Sequence, residues 1–322
     1  MTLLRSAAAL LLTCIFLAGL WGCSSKKEGA AAGLQVVTTL FPLYDFSRSI
    51  GGSYAHVTML LPPGVEPHTF EPRPEDMIRI SRANLFIYTN RSMEPWAEKI
   101  ITGINNPALR VVNAGERITY LSGSADDDHD HDHGHDQKEH HGHGGMDPHI
   151  WLDFTNAALM VDSICTGFVA ADPAHGTEYR HNADLLKGKL AALDDRYRRG
   201  LSSCATDKLL HGGHFTFGYL ARRYKLDYHA LSGLSSDSEP SAQRMAALIR
   251  SIKGSGVKFL FAEELLSPRL SETLASEAGV TMLMLHGAHN LSKEEMGRNV
   301  SFIEVMEHNL SQLQKGLQCR EK

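Results

Sequence analysis

From residue 35 onward the chain alternates short aliphatic or β-branched runs with stretches whose apolar residues recur every three to four positions. Val36-Val37-Thr38-Thr39, Val57-Thr58-Met59-Leu60-Leu61, Leu85-Phe86-Ile87-Tyr88 and Arg110-Val111-Val112-Asn113 read as buried strands. Near-continuous apolar runs of this length suit a sheet covered on both faces. Between them, 44–50, 74–82 and 95–103 read as helices, with Pro74 and Pro95 in first turns, where the missing N–H leaves nothing unpaired. Strand–helix–strand alternation implies a parallel sheet.

The second half repeats the arithmetic. Residues 155–170 are helical, and Pro173 opens a longer amphipathic helix to about 201, with Leu185, Leu186, Leu190, Leu193 and Tyr197 at helical spacing. At roughly 28 residues it spans on the order of 40 Å, enough to run the length of one lobe and reach a second. Strand-like runs resume at 208–211, 226–229, 257–261 and 280–285, alternating with helices at 217–224, 241–253, 268–278 and 292–317. The pattern predicts an α/β protein with a first lobe at 34–172, a connecting helix at 173–203 and a second lobe at 204–322.

The beginning of the chain has a different character. A single early charge, Arg5, precedes an apolar run over 7–20, the layout of an export signal, and Leu20-Trp21-Gly22-Cys23-Ser24 resembles a bacterial lipobox. That resemblance implies a signal peptide at 1–22, lipid on Cys23 and a flexible tether at 23–33. No later run reads as apolar for long enough to cross a bilayer. Cys165, Cys204 and Cys319 allow one bridge and leave one thiol over, and spacing does not say which pair. No Cys-x-x-Cys occurs, which argues against a thiolate zinc site. A formal net charge of −5 argues against nucleic acid as a partner.

Between Asp126 and His143 the chain has no apolar side chain and carries His129, His131, His133, His135, His140, His141 and His143. A segment of this composition cannot bury a core, and a disordered loop over 122–146 is expected. It reads either as a solvated linker or as a weak binder of borderline metals, since imidazole favours zinc, copper, nickel or cobalt over calcium or magnesium. Its carboxylates add an attractive potential for any cation.

Four other histidines, His68, His149, His214 and His286, fall in loops after strands or at the mouth of a helix. Ligands of open parallel sheets bind at the carboxyl ends of strands, so the four could converge if the lobes face each other. His68 sits in a proline-stiffened loop, Pro62-Pro63-Gly64-Val65-Glu66-Pro67-His68, that loses little entropy in presenting a ligand. His149 sits in Asp147-Pro148-His149-Ile150-Trp151-Leu152-Asp153, where either aspartate could orient the ring through its other nitrogen. His211 competes with His214, because Gly212 and Gly213 could turn either ring inward. Glu263 and Glu264 could resemble an acid/base pair, but read more simply as a strand-end pair that binds the lobe together or meets a partner. Neither His-Glu-x-x-His nor Gly-x-Ser-x-Gly is present, so no hydrolase motif supports an enzyme.

Gly64-Val65-Glu66-Pro67-His68, the Asp147–Asp153 stretch, His214-Phe215-Thr216-Phe217-Gly218-Tyr219 and Phe261-Ala262-Glu263-Glu264 together resemble the ZnuA/TroA-like solute-binding lipoproteins of zinc and manganese ABC transporters. The resemblance implies two pseudo-symmetric lobes, a rigid connecting helix and one metal in the cleft between lobes. It implies His68, His149 and His214 as ligands, with His286 in register with the family's fourth, usually an aspartate. His289 or a water could complete the set instead, and Glu66, His211 and Glu263 are supporting or alternative groups. Its function would be capture of Zn²⁺ outside the cytoplasmic membrane by a lipid-anchored monomer, for delivery to a permease with its ATPase. Manganese or iron is the alternative cargo and a zinc-dependent hydrolase the remote one. Imidazoles favour zinc, whereas manganese sites use more carboxylate.

Overall fold

The computed structural model describes residues 33–122, 145–234, 240–264 and 269–320. The residues expected to form a signal peptide and tether, Cys23 among them, and the seven tract histidines lie outside the described residues. Strands β1 (Leu34–Thr38), β2 (Ala55–Met59), β3 (Leu85–Tyr88) and β4 (Arg110–Asn113) form a parallel sheet in the order β2-β1-β3-β4. Strands β5 (Lys208–His211), β6 (Asp227–Ala230), β7 (Phe259–Ala262) and β8 (Thr281–Met284) form a second, in the equivalent order β6-β5-β7-β8. In each sheet the first strand lies between the second and third. That places a topological switch point, where parallel sheets open a crevice, at the carboxyl ends of β1 and β5.

Helices α1 (Phe41–Gly51), α2 (Pro74–Arg82) and α3 (Ala97–Gly103) belong to the first sheet; α4 (Phe154–Ala171) and α5 (Gly176–Gly200) follow it. Helices α6 (Gly218–Tyr224), α7 (Ala242–Ser255), α8 (Arg269–Ala278), α9 (Lys293–Gly297) and α10 (Phe302–Gly316) complete the second half. Pro74 opens α2 as its position implies, and Asp153 caps α4 by accepting from the backbone N–H groups of Thr155 and Asn156. The single helix expected over 292–317 is two. Each half opens with its own capping box, Ser292 with Glu295 and Ser301 with Glu304, and Asn299 turns left-handed between them at φ 55°.

The connecting helix α5 buries Tyr179, Ala183, Leu186, Leu190, Leu193 and Tyr197, a three-to-four-residue stripe, while Leu185, expected on that stripe, is 55% exposed. One continuous apolar core runs from β1 and β3 through α4 and α5 to Phe261, Leu283 and Phe302 of the second half. At the polar edge of this core Arg223 donates to Asp153 (2.9 Å) and Asp194 (2.7 and 2.6 Å), tying α6 to the start of α4 and to α5. Helix α4 is itself long and apolar enough to cross a membrane, at 18 residues and mean hydropathy 1.4, contrary to the expectation that no such segment follows the leader. Its apolarity is that of a core helix: Ala157, Met160, Val161, Ile164 and Phe168 are buried against the sheet and α5.

Cys204 bonds to Cys319 across 115 residues, joining the end of α5 to the end of α10, and Cys165 is left as a buried free thiol. A crosslink of that span chiefly restricts the unfolded chain. Replacing both cysteines by serine should lower the unfolding free energy by about 2–5 kcal/mol in urea melts. Wild-type stability in the double variant would mean that the bridge contributes nothing.

Candidate metal centre

Four histidines converge between the sheets, each from a loop after the carboxyl end of a strand: His68 after β2, His149 beyond β4, His214 after β5 and His289 after β8. The His68 loop turns at Gly64 (φ 79°), and the Glu66 carboxylate accepts from the backbone N–H of His68 (3.1 Å). Its far side is held from the other half, where the Asn290 amide donates to the carbonyls of Pro62 (2.7 Å) and Val65 (2.9 Å). His149 is set by Asp147, which accepts from its backbone N–H (3.0 Å) and from its Nδ1 (2.7 Å). Trp151 reaches across to donate to the carbonyl of Gly287 (2.9 Å).

Glu263, just past β7, accepts from both the backbone N–H of His214 (2.5 Å) and its Nδ1 (2.7 Å). Gly213 permits this approach, because a Cβ there would lie 1.8 Å from the Glu263 carboxylate. On the remaining loop Ala288 adopts a left-handed conformation (φ 56°) that turns His289 inward, and the His289 carbonyl accepts from the backbone N–H of Phe41 (3.1 Å).

The ligand atoms of the four rings all lie within 4.8 Å of one another. Nε2 of His149 is 3.3 Å from Nε2 of His68 and 3.2 Å from Nε2 of His214. His149, His214 and His289 are buried and His68 is partly exposed. Nε2 of His289 is buried with no hydrogen-bond partner. Carboxylates behind His149 and His214 hold their Nδ1–H groups, which leaves the Nε2 lone pairs facing inward. Ring nitrogens so arranged could hold a cation between them. A tetrahedral ion about 2.0 Å from each nitrogen would separate neighbouring nitrogens by about 3.3 Å, which the two distances match.

Burial lowers the pKa of His68 to about 3, helped by the charge of His214, and burial holds those of His149 and His289 well below the ordinary value. His214 differs: burial opposes its charge, but Glu263 outweighs burial and raises it. Burial likewise opposes the ionised Glu263, yet His214 keeps that carboxyl below its usual range. Burial pushes Asp147 up to about 7, against the pull of the His149 backbone N–H and the charge of His214.

His286, expected in the fourth position, stands outside the cluster. Asn309 grips its backbone on both sides, accepting from its N–H (2.8 Å) and donating to its carbonyl (2.7 Å). Its ring faces Glu264 (3.1 Å) and Glu295 (3.6 Å), and the turn at Ala288 carries His289 to the cluster in its place. His211 is a β5 strand end whose Nδ1 meets the carbonyl of His214 (3.1 Å), a support behind the loop rather than a member of the group. Of the two aspartates flanking His149, Asp147 orients the ring and Asp153 is a helix cap. Asn90, Asn290 and Asn309 had no sequence signal, being single polar residues whose partners lie 23 to 228 residues away, and Thr216 had none although its partner His214 is two residues away. The tract's flanks meet beside this site: Ser122 pairs with Met146, and the backbone N–H of Asp147 donates to the carbonyl of Leu121 (2.9 Å).

A family model described as zinc-uptake complex component A, periplasmic (ZnuA), matches residues 36–316. The chain is 37% identical over 307 residues to the high-affinity zinc uptake system protein ZnuA of Bacillus subtilis, across 94% of this chain and 95% of that protein. It is 35% identical to the zinc-binding lipoprotein AdcA of Streptococcus pneumoniae across 95% of this chain, but spans only 60% of that longer relative. Among solved structures, the Zn(II)-bound ZnuA-like domain of S. pneumoniae AdcA superposes with a TM-score of 0.73 at 32% identity, covering 88% of this chain and 99% of that one. The metal-dependent lipoprotein YcdH of B. subtilis gives 0.73 at 34% identity, with the same coverage.

The Glu263 carboxylate is the group that raises the His214 pKa, so Glu263→Gln should lower it in metal-free protein, as read by NMR titration of the ring. An unmoved His214 titration would remove Glu263 from that role.

Proposed function

This chain belongs to the ZnuA family of zinc-uptake components, and from that membership we propose that His68, His149, His214 and His289 are its zinc ligands. The protein is an extracytoplasmic zinc-binding component of an ABC uptake system. The observation that carries the ligand set is the convergence of four ring nitrogens within 4.8 Å, with His149 at 3.3 Å from His68 and 3.2 Å from His214, the edge of a tetrahedron fitted to zinc. Among the described residues the group is four imidazoles with no carboxylate, which favours zinc over manganese or iron, since those take more oxygen ligands. Four protein ligands also close the tetrahedron, whereas a catalytic zinc keeps a position for water, and this supports transport over hydrolysis.

Zinc enters and leaves past His68, the partly exposed ring, on a loop held to the other half by Asn290 and by the Gly64 N–H to the Leu291 carbonyl (2.8 Å). The shared core and these hydrogen bonds across the cleft favour small lobe motions and larger loop motions, released when the protein docks on its permease. In the same reading residues 1–22 are removed as a signal, Cys23 carries lipid, 23–33 tether a monomer to the membrane, and lobes at 34–172 and 204–322 flank the 173–203 connector. The permease works with its own ATPase. The tract at 126–143 collects zinc weakly and passes it inward; the meeting of its flanks beside Asp147, which orients His149, supports this.

His289→Ala should weaken zinc binding by more than the roughly 10–100-fold typical of losing a group behind a ligand, while His286→Ala should cost less than about threefold. Competition titration with a chelator separates the two, and the reverse ranking would return His286 to the site. Deleting 124–145 should leave one tight zinc equivalent in calorimetry and remove several weak ones; loss of the tight one would sink the division of labour. Among the four rings only His214 is held above the ordinary histidine pKa. Zinc affinity should therefore be full above the His214 pKa and fall as pH drops through it, about tenfold per pH unit, the slope of one displaced proton. A slope of two or more protons between pH 5 and 7 would show that a second group, a further ring or the Asp147 carboxyl behind His149, takes up a proton as zinc leaves.

A further inference from the structure

Thr216 is fully buried, and its hydroxyl oxygen lies 2.8 Å from Nε2 of His214, the same nitrogen that faces His149 at 3.2 Å. Above the His214 pKa the ring keeps one proton, which Glu263 holds on Nδ1, so Nε2 carries a lone pair and the Thr216 hydroxyl is the donor. The hydroxyl's other acceptor, the His214 carbonyl, is farther away at 3.4 Å, and the residue that carries the hydroxyl is fixed by its surroundings. The Thr216 backbone N–H donates to the His214 carbonyl (2.9 Å) and to the Tyr228 hydroxyl (3.1 Å), and its methyl lies where a side chain on Gly287 would meet it at 3.2 Å. An imidazole nitrogen has one lone pair, so it cannot serve a hydroxyl hydrogen and a metal ion together.

We propose that Thr216 is an affinity-setting residue of the zinc site. Its hydroxyl occupies the His214 lone pair when the metal is absent, is displaced when zinc binds, and recaptures the nitrogen as zinc leaves. Thr216 therefore weakens binding and speeds release, which suits a protein that must surrender its cargo. This rests on the ligand set proposed above and adds a residue outside it.

The test uses protein lacking residues 124–145, so that only the central site is read. Thr216→Val keeps the side-chain volume and removes the donor; it should tighten zinc binding about 2- to 10-fold, the worth of one neutral hydrogen bond, with a slower zinc off-rate in stopped-flow transfer to a chelator. Thr216→Ala is a second variant without the hydroxyl and should shift in the same direction. Thr216→Ser, which keeps the donor, should return both quantities to the wild-type values. Equal or weaker binding in the Val and Ala variants overturns the proposal, and weaker binding restored by Ser would make the hydroxyl a ligand instead. If the parent protein binds no zinc tightly, it is the ligand set that fails; if the parent binds and the variants do not tighten, the Thr216 role alone fails.

Discussion

Four imidazoles, three of them buried, present ring nitrogens within 4.8 Å of one another, and the surrounding structure holds them there against their mutual repulsion. Two rings are fixed through their outward nitrogens by carboxylates, Asp147 behind His149 and Glu263 behind His214. Each carboxylate also takes its histidine's backbone N–H, so ring and backbone turn as one unit. His214 more than offsets the cost of burying the Glu263 carboxylate, whereas hydrogen bonds offset that of Asp147 only in part and leave its pKa at about 7. Gly213 belongs to the same constraint, since any side chain there would occupy the place of the Glu263 carboxylate.

Rigidity of the frame follows from the way the two halves share material. Helix α5 is part of one core that touches both sheets, and the arginine at 223 links three helices at its polar edge. Contacts across the cleft are made by the very segments that carry the clustered histidines: Trp151 to Gly287, Asn290 to the His68 loop, Phe41 to His289. Separating the halves would expose apolar core, whereas lifting the His68 loop breaks only a few hydrogen bonds.

Particular elements show where sequence reasoning reaches its limit. Strands β3, β4 and β5 and helix α2 stand at their expected residues, since short apolar runs and an N-terminal proline are local signals. Helices α9 and α10 were fused in the expectation because the apolar period continues across the break, while the break depends on a capping box and a left-handed Asn299. Register with a family pattern brought His286 forward, and three residues later His289 fills the space instead. The difference lies in a turn at Ala288 and in the grip of Asn309, 23 residues away.

The sequence by itself determined the α/β alternation, the long connector and the histidine-bearing loops, because hydrophobic period and proline-stiffened motifs act over a few residues at a time. Tertiary structure alone decided which rings meet, which cysteines pair and which polar side chains stand behind the rings. Those outcomes depend on distances between segments tens to hundreds of residues apart, such as His68 to His149 and Cys204 to Cys319, and on the orientation that a remote carboxylate or amide imposes on each ring. Local pattern carries no information about either.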